Sequence, residues 1–274
     1  MPTFAWLARL WSRGADSLAP PVYRPHVEAL EDRWLPAAVG SPTANFVEQI
    51  YRDILHRVAD PGGRLAWSQA IDSGQLTPQE VVLDIRGSDE GLGVQVNDFY
   101  VRFLRRNAEP GGLANWKVFL NTHSTEDLEV QILSSQEYFL AQGGGTNAGL
   151  LAAVYRDVLG RAIGPNEVGF WNVAITINRP QGIQGIAMSP EARNDAVSGY
   201  YTSYLRRTAG PNESAAWAQL LEQGDLNRFI NTDHVYASVQ DNDDAILVSF
   251  ILASQEYFQD AQTLTTFATI PGPS

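Results

Sequence analysis

A fourfold internal repeat constrains the fold of this 274-residue chain more than any other feature. Four tryptophans each follow a tyrosine by sixteen residues, a leucine by twelve, an arginine by ten and a proline by six. These positions are Trp67, Trp116, Trp171 and Trp217; Tyr51, Tyr100, Tyr155 and Tyr201; Leu55, Leu104, Leu159 and Leu205; Arg57, Arg106, Arg161 and Arg207; and Pro61, Pro110, Pro165 and Pro211. Constant spacing at five positions predicts one supersecondary unit present in four copies.

Each copy has the sequence pattern of three helices. In the first copy, apolar residues recur at helical spacing over residues 46–55, and Asp60-Pro-Gly-Gly63 then indicates a turn. A second helix carries Trp67 and ends at Gly74, and Thr77-Pro-Gln-Glu80 is a capping box that begins a third. Four of the five residues 173–177 are β-branched, but the repeat register places them in a second helix. The sequence therefore predicts an all-α fold.

The odd and even copies differ, which predicts a duplicated pair of repeats. Copies one and three share Tyr-Arg-Asp-x-Leu-x-Arg, whereas copies two and four share Leu-Arg-Arg and Ser-Gln-Glu-Tyr-Phe. We expect two helical pairs, at residues 43–142 and 146–260, joined by a flexible linker around Gly143–Asn147. The remaining predicted parts are a disordered export-like segment at 1–40, an acidic insertion at 225–244 and a disordered tail at 261–274.

The repeated residues are interpreted first as structural. The tyrosine and tryptophan of each copy are expected in its core, the alternative being an aromatic platform for a sugar. The repeated arginine is expected to bond free carbonyls at a helix end or to pair with a carboxylate, the alternative being an anion site. The candidate carboxylates are Glu90, Glu137, Glu191 and Glu256. Asp53 and Asp157 are expected to pair with the arginine one helical turn later, with metal binding as the alternative.

Composition excludes several classes of protein. The absence of cysteine rules out disulfides, thiolate metal sites and a cysteine nucleophile. A net charge of −12 argues against a nucleic-acid partner, which requires clustered Lys and Arg. The longest apolar stretch, near residues 245–253, is too short to span a bilayer. The four histidines form no paired ligand motif, and no catalytic or cofactor-binding residue is identified.

The acidic insertion is the one candidate for a cation site. Its aspartates are Asp225, Asp233, Asp241, Asp243 and Asp244, which could supply oxygen ligands to calcium. The segment lacks the glycine and the distal glutamate of a helix-loop-helix calcium loop. The alternative is a solvated loop that caps the next helix. No cofactor is expected, and calcium is left open.

Two resemblances add to these predictions. Residues 24–37, through Arg24-Pro25 and Leu30-Glu-Asp-Arg33, resemble the Leu-Glu-Asp/Pro-Arg sorting segment of exported planctomycete-type proteins, which implies export. Residues 43–260, through motifs such as Tyr51-Arg-Asp-Ile-Leu-His-Arg57 and Ser135-Gln-Glu-Tyr138, resemble the bacterial domain family of unknown function numbered 4214.

That family is similar in pattern to the helical linker domains of cyanobacterial light-harvesting assemblies. It also occurs on secreted proteins, often beside calcium-binding repeats, and on some glycosyltransferases, and it has no general catalytic residues to carry over. Copy four departs from the pattern, because Trp217 and Ser254 are 37 residues apart against 18 to 21 in the other copies. The resemblance therefore leaves the third helix of that copy in question.

The preferred interpretation is a non-catalytic, exported helical repeat protein that acts as a cell-surface, adhesion or assembly module. Its partner would be a protein or glycan of the cell envelope, and its oligomeric state is left open. One alternative is a carbohydrate- or cell-wall-active enzyme that uses carboxylates between the two halves. Another is a calcium-responsive binding module. Outward-facing tryptophans would favour glycan binding, whereas buried carboxylates in a cleft would favour the enzyme.

Overall fold

The described residues of this computed structural model are all helical or in the turns between helices. They are residues 41–223, Leu226 and residues 243–267, and they contain fourteen α-helices and no strand. The predicted all-α fold is confirmed. No helix within these ranges is long and apolar enough to cross a membrane.

Each repeat contributes three helices, as predicted. The first copy contains α1 (Pro42–Ile54), α2 (Pro61–Asp72) and α3 (Pro78–Gly87). The second contains α4 (Asp89–Phe99), which continues as a π-helical turn (Tyr100–Leu104), then α5 (Pro110–Leu120) and α6 (Thr125–Ser134), followed by the short α7 (Gln136–Ala141). The third contains α8 (Asn147–Leu159), α9 (Pro165–Ile177) and α10 (Arg179–Ala187). The fourth contains α11 (Pro190–Tyr204), α12 (Pro211–Gln223) and α13 (Asp243–Leu252), followed by α14 (Gln255–Phe267).

The serine at the end of each repeat begins the next helix. The hydroxyl oxygen of Ser88 accepts a hydrogen bond from the backbone N–H of Gly91 at 3.0 Å, and Ser135, Ser189 and Ser254 make the same bond at 3.1–3.2 Å. This satisfies an amide that the first turn of a helix leaves without an intrahelical partner. The predicted capping box of Thr77 and Glu80 is also present.

The residue before the repeated arginine has a left-handed backbone conformation in every copy. Its φ is 55° at His56, 58° at Arg105, 60° at Gly160 and 55° at Arg206. This conformation ends the first helix of each copy and turns the chain toward the second. Only the third copy has glycine there, although glycine adopts positive φ most easily.

Two hydrophobic cores join copies in a pairing that differs from the predicted one. One core combines copies two and three and includes Phe103, Leu128 and Leu151; the other combines copies one and four and includes Phe46, Val81, Val197, Leu247 and Tyr257. In the second core, α14 packs against α1 and α13 packs against α3. The two cores therefore do not coincide with the predicted pairs 43–142 and 146–260, and the described helices belong to one compact unit.

Two predicted flexible segments are ordered where the structure describes them. Around Gly143–Asn147 the chain makes a tight turn, in which the N–H of Gly145 bonds the carbonyl of Phe139 at 3.0 Å. A Cβ atom at Gly149 would lie 2.0 Å from the carbonyl oxygen of Gly143, so the turn also packs closely against α8. The helix α14 extends to Phe267, seven residues into the predicted tail. The export-like segment at 1–40 and most of the acidic insertion lie outside the described residues.

Candidate functional site

The repeated arginine of each copy forms a two-pronged ion pair with a glutamate in the first turn of the helix that follows the third helix of that copy. Arg57 Nε and Nη2 donate to the two carboxylate oxygens of Glu90 at 2.5 and 2.7 Å. The same geometry joins Arg106 to Glu137, Arg161 to Glu191 and Arg207 to Glu256, with distances of 2.5–2.9 Å. The predicted arginine–glutamate pairing is thus present in all four copies, and its hydrogen bonds occupy the guanidinium groups that an anion site would need.

The repeated tyrosine and tryptophan form one structural unit with that arginine. Each tyrosine is buried, and the arginine lies 4.8–4.9 Å from the centre of its ring. In copies one, two and four the indole N–H donates to the tyrosine hydroxyl at 2.8–3.1 Å. In copy three the Tyr155 hydroxyl donates to Glu167 at 3.2 Å. The tryptophans pack half-buried against the two cores, which supports a structural role over a sugar platform.

Asp53 and Asp157 do not make the predicted pairs with Arg57 and Arg161. Asp157 accepts hydrogen bonds from Tyr138 at 2.9 Å and from Arg105 at 2.7 Å. Asp53 accepts from Tyr257 at 2.7 Å and lies 3.3 Å from Arg206. Each aspartate lies on the first helix of an odd copy, and its partners belong to the even copy that packs against that helix. Both aspartates therefore join two copies. Burial opposes ionisation of Asp157, but the bonds from Arg156 and Tyr138 outweigh it and lower the pKa.

The calcium candidates are only partly described. Asp225, Asp233 and Asp241 lie outside the described residues, as does the side chain of Asp243. Asp244 lies in the first turn of α13, where it accepts a hydrogen bond from Tyr200 and lies 3.7 Å from Arg86. Its side chain is 14% exposed, so it does not belong to a solvated loop as predicted. Among the residues that the structure describes, no three His, Asp or Glu side chains are grouped to hold a metal ion.

A cavity of about 630 Å³ lies where helices of several copies meet. Its walls come mainly from α4, α6 and α11, and further side chains come from α3 and α13. The polar residues on these walls include Gln95, Asp98, Arg102, Glu126, Glu129 and Tyr200. The volume lies within the range of small-molecule sites.

The electrostatics of the cavity differ from those of the arginine–glutamate pairs. Burial raises the pKa of Glu126 to about 7, and the negative charge of Asp244 adds to the shift. Burial likewise raises the pKa of Glu129 to about 7, against the opposing effect of Arg102. Arg86 is 8% exposed, and its Nε atom has no hydrogen-bond partner within the described part of the chain. These groups lie in an environment that does not fully compensate their charges.

Comparison of the four third helices shows that two of these groups replace core residues. Aligned on the serine that ends each repeat, Glu129 corresponds to Val82, Ile183 and Val248, all of which are fully buried. In the same register, Arg86 corresponds to Leu133, Ala187 and Leu252. Both exceptions can be seen in the sequence, but only after the third helices of the four copies are aligned on their terminal serines.

An exposed apolar stripe lies on α9 in copy three. Phe170, Val173 and Ile177 are 67%, 59% and 81% exposed and recur at i, i+3 and i+7, which places them on one face. The corresponding residues are Ala66, Gln69 and Ser73 in copy one, Asn115, Val118 and Thr122 in copy two, and Ala216, Gln219 and Gln223 in copy four. The buried face of the same helix uses Ile175, so the fold does not require the stripe.

Comparison with known proteins identifies a single family. The model described as "Domain of unknown function (DUF4214)" matches residues 38–95, which span α1 to α3 and the beginning of α4. No curated protein matches the chain, and no solved structure matches it.

Proposed function

We propose that this chain, whose residues 38–95 match the model of the DUF4214 family, is a non-catalytic assembly module of the cell surface that binds a partner protein through α9. The observation that carries the proposal is the exposed stripe of Phe170, Val173 and Ile177. The other three copies build the same helix without three apolar residues at these positions. A feature that the fold does not need, and that leaves apolar surface in water, is typical of an interaction site.

The chemistry of the stripe favours a protein partner over a glycan. Val173 and Ile177 are aliphatic and offer neither an aromatic face nor a hydrogen-bonding group. Phe170 packs edge-on against Trp171, with ring centres 4.8 Å apart, which fixes its orientation. A stripe at i, i+3 and i+7 has the spacing with which a helix packs against an apolar groove or a second helix.

A partner of a different sequence fits the stripe better than a second copy of this chain. Three side chains on one helix provide much less than the roughly 800 Å² per partner that a stable interface buries. Two identical stripes in contact would add little to this area. A different chain can cover the stripe together with surface beyond it.

The arrangement of the two cavity glutamates argues against their acting as the catalytic pair of a carbohydrate-active enzyme. Glu126 and Glu129 lie one turn apart on the same helix, so both approach the cavity from one side. Both mechanisms of glycoside hydrolysis instead use two carboxyl groups that flank the scissile bond. Glu126 also accepts hydrogen bonds from Thr125 and from the backbone N–H of Asp244, each at 3.2 Å.

The cell-surface location rests on the resemblance of residues 24–37 to a sorting segment. Fractionation of cells that express the chain, with detection by antibody, tests this part of the proposal. We expect the protein in the envelope or medium. Recovery in the cytoplasmic fraction alone would contradict a surface role.

The binding proposal is tested by giving α9 the residues of copy one. The triple variant F170A/V173Q/I177S and a control, L140Q, are prepared as full-length chains; Leu140 is 57% exposed but lies outside the stripe. Proteins that crosslink to the wild-type chain in envelope extracts are identified, purified and titrated against all three chains. We expect the triple variant to lose at least tenfold in affinity for the purified partner and L140Q to bind like the wild type.

Two results would overturn the proposal. One is a partner that binds the triple variant as tightly as the wild type. The other is a stripe-dependent self-association of the purified chain in sedimentation experiments, which would assign the stripe to a second copy. Thermal unfolding of the variants shows that a loss of binding does not reflect a loss of structure.

A further inference from the structure

We infer that the central cavity binds a small organic cation, with Glu129 holding its ammonium group and Arg86 donating to a neighbouring oxygen of the same molecule. This inference concerns a different surface from the stripe on α9 and goes beyond the proposed assembly role. It rests on the positions of the two residues, the shape of the cavity and the charges on its walls.

The positions of Glu129 and Arg86 show that the fold does not require either group. Aliphatic residues occupy both positions in the other copies, and the equivalents of Glu129 are fully buried there. An ionisable side chain at a core position destabilises a protein unless it is paired. No hydrogen bond or ion pair joins Glu129 to another residue in the described ranges, and the Nη2 atom of Arg86 lies 3.7 Å from Asp244, beyond hydrogen-bond distance. A bound molecule would give Glu129 and the Nη groups of Arg86 a partner.

The space for such a molecule comes from a difference between equivalent helices. Both α4 and α11 line the cavity, and each is the first helix of an even copy. Where α4 has Gln95, Asp98 and Arg102, α11 has Ala196, Gly199 and Ser203. A Cβ atom at Gly199 would meet no other atom within 4 Å. The small side chains of α11 therefore leave the cavity open where large ones would fill it.

The charges on the walls favour a cation. Among the residues that the structure describes, the cavity lining carries six carboxylates, from Asp98, Glu126, Glu129, Asp195, Glu222 and Asp244, against three guanidinium groups, from Arg86, Arg102 and Arg193. Burial raises the pKa of Glu129 although the positive charge of Arg102 lowers it, which agrees with an acid that has no directly bonded cation. The described acidic side chains do not converge in a group of three that could hold a metal ion, so an ammonium group fits better than a metal.

The ligand also needs an oxygen and an apolar portion. The Nη groups of Arg86 offer N–H donors, which an ammonium group alone would not satisfy. Phe99, Val158 and Leu221 contribute apolar side chains to the walls. An amino sugar or a basic amino acid combines an ammonium group, a nearby oxygen and a compact carbon skeleton.

The test is calorimetric titration of the full-length chain at pH 7 with D-glucosamine and L-lysine as probes. N-acetyl-D-glucosamine serves as the neutral counterpart of the first probe. We expect saturable binding of at least one ammonium probe and at least tenfold weaker binding of the acetylated sugar. Glu129→Gln and Arg86→Met should each weaken binding at least tenfold, whereas Asp260→Asn, a carboxylate lost outside the cavity, should not change it.

A second variant separates binding from folding. Glu129→Val introduces the residue of copies one and four, so we expect a higher thermal midpoint without ligand and no shift of that midpoint on addition of the probe. The F170A/V173Q/I177S variant should bind the probe like the wild type, so that failure of the stripe proposal leaves this one standing. Absence of saturable binding for both ammonium probes, equal binding of the acetylated sugar, or unchanged binding by Glu129→Gln would overturn the inference.

Discussion

The hydroxyl of Tyr257 donates a hydrogen bond of 2.7 Å to Asp53, which lies 204 residues earlier in the chain. Tyr138 donates the equivalent bond of 2.9 Å to Asp157. The two contacts join copy four to copy one and copy two to copy three. The same tyrosine–aspartate hydrogen bond therefore joins both pairs of copies. Copies two and three are adjacent in sequence, whereas copies one and four are at the two ends of the repeat array.

Removing the long-range bond should destabilise the whole fold. Tyr257→Phe leaves the Asp53 carboxylate, which is 14% exposed, with Arg206 at 3.3 Å as its remaining ionic partner among the described residues. We expect a loss of about 1–2 kcal/mol in the free energy of unfolding, the usual cost of leaving a buried acceptor without its donor. Urea denaturation followed by circular dichroism measures this loss.

The matched variant Tyr138→Phe provides the control. Asp157 retains Arg105 at 2.7 Å and Arg156 at 2.9 Å, so its carboxylate stays better satisfied than that of Asp53. We expect a loss of no more than about 1 kcal/mol. A larger loss for Tyr138→Phe than for Tyr257→Phe would contradict this account of the junctions.

The left-handed position before each repeated arginine offers a stabilising substitution. His56 has φ of 55°, and its nearest ionic contact, with Asp98, is 3.7 Å long. His56→Gly removes the steric cost of this conformation, and we expect a gain of about 1 kcal/mol in thermal or urea denaturation.

Copy three provides the reverse substitution as a control. At Gly160 a Cβ atom would meet nothing within 4 Å, so Gly160→Ala changes the backbone preference without creating a side-chain clash. We expect a loss of about 1 kcal/mol. If His56→Gly destabilised the protein, the histidine side chain would have to contribute more to the free energy of unfolding than its exposed position indicates.

The arginine–glutamate pairs should contribute little despite their constant geometry. Arg106 bonds Glu137 at 2.6 and 2.8 Å and Glu109 at 2.6 Å, yet its side chain is 39% exposed. Solvent screens such pairs, so we expect Arg106→Ala to cost about 1 kcal/mol or less and Arg106→Lys to cost less than Arg106→Ala. Urea denaturation at low and high salt checks both values; a loss above about 3 kcal/mol would show that the pair behaves as a buried one.

The repeat spacing was sufficient to predict the contents of each copy but not the contacts between copies. Arg57 and Glu90 could be paired from sequence because every copy has an arginine ten residues before its tryptophan and a glutamate two residues after its terminal serine. The partner of Asp53 lies 204 residues away on α14. The spacing of residues within one copy does not indicate which copies pack together. A local pair with Arg57 was therefore the natural prediction, and long-range packing overrode it.

The cavity residues illustrate a second limit of prediction from sequence. Glu129 and Arg86 stand out once the third helices are superposed on their terminal serines, and that register is available from sequence. What the sequence did not reveal is that both residues face one space, because they belong to different copies on α6 and α3. The exposure of the stripe on α9 was not predicted either. The β-branched residues of that segment indicate strand propensity, and they do not indicate which side chains are exposed.

The pH dependence of stability should reflect the two cavity glutamates. Their pKa is about 7 in the folded protein against an ordinary value of 4.5, so the folded state binds more protons than the unfolded state between these values. Stability therefore falls as the pH rises from 4.5 to 7. Paired carboxylates such as Glu90 and Glu191, whose pKa is lowered by their arginines, act in the opposite direction at lower pH.

Glu129→Val should flatten this fall. The substitution removes one of the two groups with a raised pKa, so the decrease in unfolding free energy between pH 5 and pH 7 should be smaller than in the wild type by about 2 kcal/mol. Urea denaturation at half-unit pH steps measures both curves. If the two curves ran parallel, Glu129 would titrate at the same pH in the folded and unfolded chains, and the cavity would be as well solvated as the protein surface.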